Sequence, residues 1–341
     1  MLLMLKFLSE IFGFAVKKRN QLYDSGKIKA VACPVPVFSI GNISVGGSGK
    51  TPFARMLCEL LLDAGHRPAI VGRGYKRKSK GEVVVSDGVN ILSDWQSAGD
   101  EMFMLAESLK VPVIVHDKKY LAARSACKLL DIDCIIVDDG FQHRKLKRDL
   151  DIVLIDKKTI DMPYLLPYGR LREPLSSLNR ADVVCLPNLE YNFKEVALFI
   201  NPKAQVINFE IQMRTPYLAS GDFQYADINL IMNSPCIALT GIANPDRFTT
   251  SLENLNIKVV KHFKFPDHHN FSAKDITGII EFCKGSGLST IATTEKDKVR
   301  LAQHWEGLRN NNIECLIFPI EMKITKGLAE FKELIESAFV R

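Results

Sequence analysis

Short apolar runs alternate with helical patterns over the first two-thirds of the chain. Residues 35–40, 68–71, 82–85, 111–115, 134–137, 151–155 and 182–186 are apolar or nearly so and have the length of single strands. Such runs belong to strands buried on both faces. Helical spacing falls between them. Phe53, Met56, Leu57, Leu60 and Leu61 mark one face of a helix over 52–64, and further helices are expected near 98–110 and 118–130. The alternation predicts an α/β fold with a mostly parallel sheet flanked by helices. The stretch 205–218 is extended and less apolar, with Pro216 near its end, and reads as a connector. Strand patterns then recur at 236–239, 259–263, 290–292 and 315–319, with helices between and after them. The expected organisation is an N-terminal helix at 1–20, a main domain at 21–204, an extended linker at 205–220 and a smaller C-terminal α/β domain at 221–341.

The first sixteen residues are apolar apart from Lys6, Ser9, Glu10 and Gly13, and Lys17-Lys18-Arg19 follow. A membrane-spanning helix needs about 20 apolar residues. A secretory signal carries its positive charges before the apolar run, not after it. Two placements remain: a helix lying in a membrane interface over anionic headgroups, or a helix packed on the protein's own core.

Composition adds a boundary rather than a function. A chain of 341 residues with 47% hydrophobic content builds a substantial core, and 25% charged residues exclude a disordered polypeptide. The net charge of +6 suits an anionic partner, whether phosphate, anionic lipid or nucleic acid. None of the eight cysteines forms a C-x-x-C pair, which argues against zinc knuckles and thioredoxin-type sites and for free thiols in a reducing compartment.

The strongest chemical signal is Gly41-Asn42-Ile43-Ser44-Val45-Gly46-Gly47-Ser48-Gly49-Lys50-Thr51-Pro52. It follows the first strand and opens the first helix, the context a phosphate loop requires. Glycines let backbone N–H groups converge on phosphate oxygens, and the helix N-terminus adds its positive end. Ser44 through Thr51 would cradle the nucleotide, with Lys50 on the β- and γ-phosphates and the Thr51 hydroxyl on Mg²⁺. Ser44 stands where the common pattern has glycine. A phosphate loop also needs an acid at the end of a neighbouring strand. The apolar run 134–137 ends in Asp138-Asp139-Gly140, making Asp138 and Asp139 candidate metal residues beside Thr51.

The segment Val137-Asp138-Asp139-Gly140-Phe141-Gln142-His143-Arg144-Lys145-Leu146, continuing to Val153, closely resembles the tetraacyldisaccharide 4'-kinases of lipid A biosynthesis. Gly72-Arg73-Gly74-Tyr75, Gly99-Asp100-Glu101, Leu171-Arg172-Glu173-Pro174-Leu175, Gly241-Ile242-Ala243-Asn244-Pro245, Pro266-Asp267-His268-His269 and Thr294-Glu295-Lys296-Asp297 agree in order. The resemblance covers nearly the whole chain and includes Ser44. It implies a P-loop NTPase-like domain joined by an extended linker to a smaller α/β domain. It also implies transfer of the ATP γ-phosphate, with Mg²⁺, to the 4'-hydroxyl of tetraacyldisaccharide 1-phosphate. The implied setting is the cytoplasmic face of the inner membrane of a Gram-negative bacterium. The protein would sit there as a peripheral or monotopic monomer, held by the N-terminal segment, with no nucleic-acid partner.

Residue by residue, the resemblance implies that Asp100, His268 and Lys50 carry catalysis. Asp100 would accept the proton of the attacking hydroxyl, and His268 from the smaller domain would partner it, with His269 the alternative. Arg73, Tyr75, Arg77, Gln142, His143, Arg172 and Glu173 would face the lipid substrate. Three positions depart from the family pattern: Met102 and Arg170 where proline is usual, and Asp117-Lys118 where Asp-Arg is common. Two other classes compete with this reading. A P-loop switch or metal-insertion GTPase reads guanine through [NT]-K-x-D, whereas Thr294-Glu295-Lys296-Asp297 carries its lysine one place late. A nucleic-acid binder could use the basic runs 73–80 and 143–148, but neither carries interleaved aromatic residues.

Overall fold

The inner apolar runs become strands because they are sandwiched between layers of helix. The computed structural model describes residues 2–188, 194–219, 232 and 234–340. Its strands are β1 (Val37–Gly41), β2 (Pro68–Gly72), β3 (Val83–Asp87), β4 (Pro112–Val115), β5 (Cys134–Val137), β6 (Leu150–Leu154), β7 (Val183–Pro187), β8 (Gln205–Met213), β9 (Tyr217–Leu218), β10 (Cys236–Thr240), β11 (Val259–Lys264), β12 (Thr290–Thr294), β13 (Glu314–Phe318) and β14 (Ile320–Lys326). They form a nine-stranded sheet ordered β14-β8-β7-β6-β1-β5-β2-β4-β3 and a five-stranded sheet ordered β11-β10-β12-β13-β9. The inner strands are parallel, and β3 and β14 close the larger sheet as antiparallel edges.

Successive residues serve opposite faces of the larger sheet. Phe38, Ile40, Cys134 and Ile136 pack with Phe53 and Leu57 of the helix Lys50–Asp63. Val37, Ile135 and Val137 pack with Ala122, Ala123 and Ala126 of the helix Lys119–Leu129. The smaller sheet is covered in the same way: Ile237 and Leu239 point into one cluster, Cys236 and Ala238 into the other. Coverage on both faces is why these strands read as unbroken apolar runs.

The path between the sheets differs from the expected linker. Residues 205–213 are strand β8 of the larger sheet, and β14 with the helix Leu328–Ser337 returns there instead of ending in a domain at 221–341. At this edge only alternate residues face the core. Ile207, Phe209, Met322 and Ile324 are buried, while Gln212 and Lys323 are exposed, so neither segment has the apolar density of an inner strand. Phe331 of the last helix packs edge-on against Phe53, ring centroids 6.0 Å apart. The two crossings run side by side, with the Arg214 N–H donating to the Pro319 carbonyl at 2.9 Å. Position 221, the expected start of the smaller domain, lies outside the described residues.

The N-terminal helix runs Leu2–Asp24, longer than expected. One face meets the larger domain: the Ser9 hydroxyl donates to the Leu165 carbonyl at 2.8 Å, and Val16 and Asn20 are buried. Leu2, Leu3, Met4, Phe7, Ile11 and Phe14 face outward. Among the described residues no helix is long and apolar enough to cross a membrane.

Candidate active site

The phosphate loop joins β1 to the helix Lys50–Asp63. Gly49 caps that helix at φ 90°, a left-handed conformation that favours glycine, and a Cβ there would meet Met322 at 2.8 Å. Ahead of it, the Ser44 hydroxyl accepts from Thr159 at 2.8 Å, the Arg170 guanidinium holds the Val45 carbonyl at 2.6 Å, and the Ser48 hydroxyl accepts from Asn42 at 3.0 Å. The loop is thus held from outside by side chains. Lys50 and Thr51 open the helix with their side chains toward acids: Lys50 Nζ lies 3.5 Å from Asp139 and the Thr51 hydroxyl donates to Glu101 at 3.0 Å.

Asp138 and Asp139 leave β5 in opposite electrostatic states. Asp139 sits at φ 51°, a left-handed conformation that costs a non-glycine residue on the order of 1 kcal/mol. Its carboxylate accepts from Arg172 at 3.1 and 3.3 Å, and its carbonyl accepts from Lys119 at 2.5 Å. Burial acts to raise its pKa, but Lys50, Lys119 and Arg172 hold it well below the usual carboxylate range. Asp138 goes the other way: burial, with Glu101 and Asp139 beside it, pushes it up to about 6 against the opposing Lys119 and Lys50. Its buried Oδ1 has no hydrogen-bond partner among the described residues. Asp139, expected among the metal residues, is therefore occupied by cationic side chains, while Asp138 has a free oxygen.

Asp100 opens the helix Asp100–Leu109 beneath the turn that follows β2. Gly74 and Gly99 make that contact possible, since a Cβ on Gly74 would lie 2.4 Å from the Ala98 carbonyl oxygen and one on Gly99 would lie 3.0 Å from Gly74. His268 reaches Asp100 from the smaller domain. Its Nδ1 and Asp100 Oδ2 are 2.8 Å apart, and His268 also has a left-handed backbone at φ 62°. His269 instead pairs with Asp275 at 3.0 Å and stacks on Phe265. Burial raises the Asp100 carboxyl, but the His268 hydrogen bond and the charges of His268, Arg300 and Lys296 outweigh it and leave the pKa below the ordinary value. The neighbouring Glu101 is lowered too, with burial outweighed by Lys296 of the smaller domain, which binds its carboxylate.

One family model matches nearly the whole of the chain that carries this phosphate loop, acid-ended β5 and interdomain acid–imidazole pair. The chain belongs to the tetraacyldisaccharide-1-P 4'-kinase family. The family model matches residues 1–339. The tetraacyldisaccharide 4'-kinase of Aquifex aeolicus (strain VF5) is 37% identical over 332 residues, covering 97% of both chains. That of Syntrophus aciditrophicus (strain SB) is 33% identical over 351 residues, covering 98% of this chain and 92% of its own. The crystal structure of LpxK from Aquifex aeolicus in complex with ATP superposes with a TM-score of 0.79 at 34% identity, covering 97% of each chain.

The expected substrate-facing residues divide into two groups. Arg73 and Tyr75 are exposed on the turn after β2, and the Tyr75 ring lies 5.1 Å from His268. Arg172 is at the site through Asp139. Burial and the Lys119 charge push His143 down to about 4, so its imidazole is neutral at pH 7. Three others are committed elsewhere. Arg77 is tied to Gly81 of its own loop and to Asp117, just past β4, at 3.1 Å. The Gln142 amide donates to the Asn42 carbonyl at 2.8 Å. Glu173 is fully buried and accepts from Asn20 at 2.7 Å, Arg180 at 3.0 Å and Arg19 at 3.3 Å. It anchors the N-terminal helix instead of lining a cleft.

Sequence reasoning missed Lys119, Lys296 and Arg300. Burial brings Lys119 down to about 8 against the pull of Asp139 and Asp138. Lys296 and Arg300 lie in the helix Glu295–Leu301, whose Glu295 also grips Arg55 at 2.9 Å. Their spacing reads as an ordinary amphipathic helix, and only the meeting of the two domains brings Lys296 to Glu101 and Arg300 to Asp100.

Proposed function

We propose that this chain transfers the γ-phosphoryl group of ATP to the 4'-hydroxyl of tetraacyldisaccharide 1-phosphate, with Asp100 as general base. The observation that carries this reading is the Asp100–His268 pair. It stands one residue from Glu101, which holds the phosphate-loop Thr51. A hydroxyl-activating acid and the nucleotide loop are thereby fixed to the same helix N-terminus.

The site residues fit Mg²⁺ and nucleotide. Among the described residues Asp138 has an unpartnered buried oxygen, and burial together with the neighbouring acids raises its pKa, so a cation would relieve a cost the protein leaves in place. Thr51 and Asp138 would hold the metal, which neutralises charge on the β- and γ-phosphates. Lys50 binds those phosphates, and Arg172 and Asp139 fix the lysine's position. His268 orients the Asp100 carboxylate, which accepts the 4'-hydroxyl proton as the new O–P bond forms and the bond to the β-phosphate oxygen breaks, releasing ADP. Proton acceptance of this kind contributes about 10²- to 10⁴-fold.

The P-loop switch reading is weaker on one specific ground. Lys296 is bound to Glu101, and Asp297 is buried on the Gly241 N–H at 2.9 Å and on Arg300, so neither is free to read a guanine base. The deciding experiment follows radiolabelled γ-phosphate with detergent-dispersed acceptor. Label on the lipid, dependent on Mg²⁺ and lost in Asp100→Ala, supports the reading. A folded, ATP-binding enzyme that transfers none overturns it.

The N-terminal helix supplies the membrane contact in this proposal. Its outward residues Leu3, Phe7 and Phe14 enter the acyl boundary while Lys17 and Lys18 meet anionic headgroups at the cytoplasmic face. One copy of the chain carries every residue of the site, which supports a monomer. Replacing Leu3, Phe7 and Phe14 with serine is expected to release the enzyme from phosphatidylglycerol-containing vesicles; unchanged partitioning would remove this role.

A further inference from the structure

A guanidinium is sealed between the two domains without a full set of partners. Arg300 is 1% exposed. A buried charge is costly unless it is paired and hydrogen-bonded. Arg300 is paired asymmetrically. Nη2 donates to Asp297 at 2.5 Å and to the Gly241 carbonyl at 2.9 Å. That carbonyl also accepts the backbone N–H of His268 at 2.9 Å, and Asp297 in turn accepts the Gly241 N–H. Arg300, Asp297, Gly241 and the His268 backbone therefore form one hydrogen-bonded unit of the smaller domain.

The other arm points out of that unit. Nη1 makes no hydrogen bond among the described residues and lies 3.7 Å from Asp100 Oδ2, the oxygen that meets His268 Nδ1. An arginine needed only to cap its own loop would not direct a donor across the domain boundary. Lysine supplies the charge but not the fork, so it cannot hold Gly241 and face Asp100 together.

We propose that Arg300 is a positioning residue for phosphoryl transfer, setting the His268-bearing loop and the Asp100 carboxylate in register where the domains meet. The inference rests on Asp100 being the base. The charged groups around Asp100 are consistent with it: His268, Arg300 and Lys296 favour the carboxylate, and Glu101 and Asp297 oppose it.

The test uses the full-length enzyme in the lipid-transfer assay, with Arg300→Lys, Asp100→Asn and the double variant, each checked for a native thermal transition. Arg300→Lys keeps the buried charge and so remains informative where Arg300→Ala fails to fold. A misplaced reacting group costs on the order of 10²-fold, so Arg300→Lys is expected to lower kcat by about that factor while KM for ATP stays within about threefold. In the Asp100→Asn background the same substitution is expected to cost nothing further, because the two residues act through one carboxylate. Multiplying losses, or a raised KM at unchanged kcat, would overturn the proposal. A wild-type kcat in Asp100→Asn alone would instead remove the base assignment, and the two failures are told apart by that single variant.

Discussion

The site contains two pairs of adjacent acids, Asp100–Glu101 and Asp138–Asp139, and the fold treats them differently. Asp100 and Glu101 receive partners from the smaller domain: the His268 imidazole and the Arg300 guanidinium on the first, Lys296 on the second. Asp139 receives Lys50, Lys119 and Arg172 from its own domain. Asp138 has no comparable partner among the described residues, and its pKa stands at about 6. A buried carboxylate is normally kept ionised by a paired cation. The protein supplies a positive partner for Asp100, Glu101 and Asp139, and in the proposed mechanism the nucleotide's Mg²⁺ would supply one for Asp138. The contrast separates a proposed acceptor side, assembled when the domains meet, from a proposed metal side in which Asp138 keeps a raised pKa.

The largest effect that could break this comparison is on the acceptor side. Asp100→Ala is expected to lower kcat by about 10²- to 10⁴-fold and to leave ATP affinity near wild type, since the Asp100 side chain pairs with His268 and Arg300 and not with the phosphate loop. Equal losses in ATP binding and kcat, read by equilibrium binding beside the transfer assay, would place Asp100 on the metal side and erase the distinction.

A buried acid outside both pairs sharpens the comparison, because its partners tie it to the N-terminal helix. Glu173 is paired with Arg19, Asn20 and Arg180, away from the Asp100–His268 pair. Removing one partner of a buried ion pair costs about 3–5 kcal/mol, so Glu173→Ala is expected to lower unfolding stability by that order. At temperatures where the variant stays folded, kcat should hold within a few-fold. A chemical denaturation series paired with initial rates checks both parts. A large loss of kcat at full stability would return Glu173 to the substrate-facing role that the family resemblance implied.

How much of this was legible in the sequence follows from the span of each contact. The phosphate loop is contiguous, so its glycines, Lys50 and Thr51 announce themselves, and Asp138-Asp139 follow an apolar run that marks the strand end. Asp100 carries no local signal beyond an acidic first helical turn, and only the family resemblance singled it out. Lys296 meets Glu101 across 195 positions and Glu295 meets Arg55 across 240, distances at which no residue spacing carries information. Glu173 misled for the same reason, since its partner Asn20 lies 153 positions away. Edge strand β14 and its neighbour β8 were hidden because alternate residues there face away from the core and many of them are polar.

The smallest expected effect tests the metal side by stability alone. The Asp138 carboxyl titrates near 6 in the fold and near 3.8 when free, so between those values the folded chain binds more protons than the unfolded one. Its contribution is therefore most favourable below about pH 4, declines as pH rises through 6, and is a standing cost at neutral pH. An asparagine side chain cannot carry that charge, so Asp138→Asn is expected to be more stable than wild type at pH 7.5 by on the order of 2 kcal/mol, with the advantage vanishing toward pH 4. Mg²⁺ with ATP should stabilise wild type and narrow the gap, because the metal supplies the missing counter-charge, while the variant loses activity. Thermal melts of both proteins across pH, with and without Mg²⁺ and ATP, read the difference directly. A variant equal to or weaker than wild type at pH 7.5 would mean that Asp138 already has its cation within the fold, and the asymmetry between the two acid pairs would not hold.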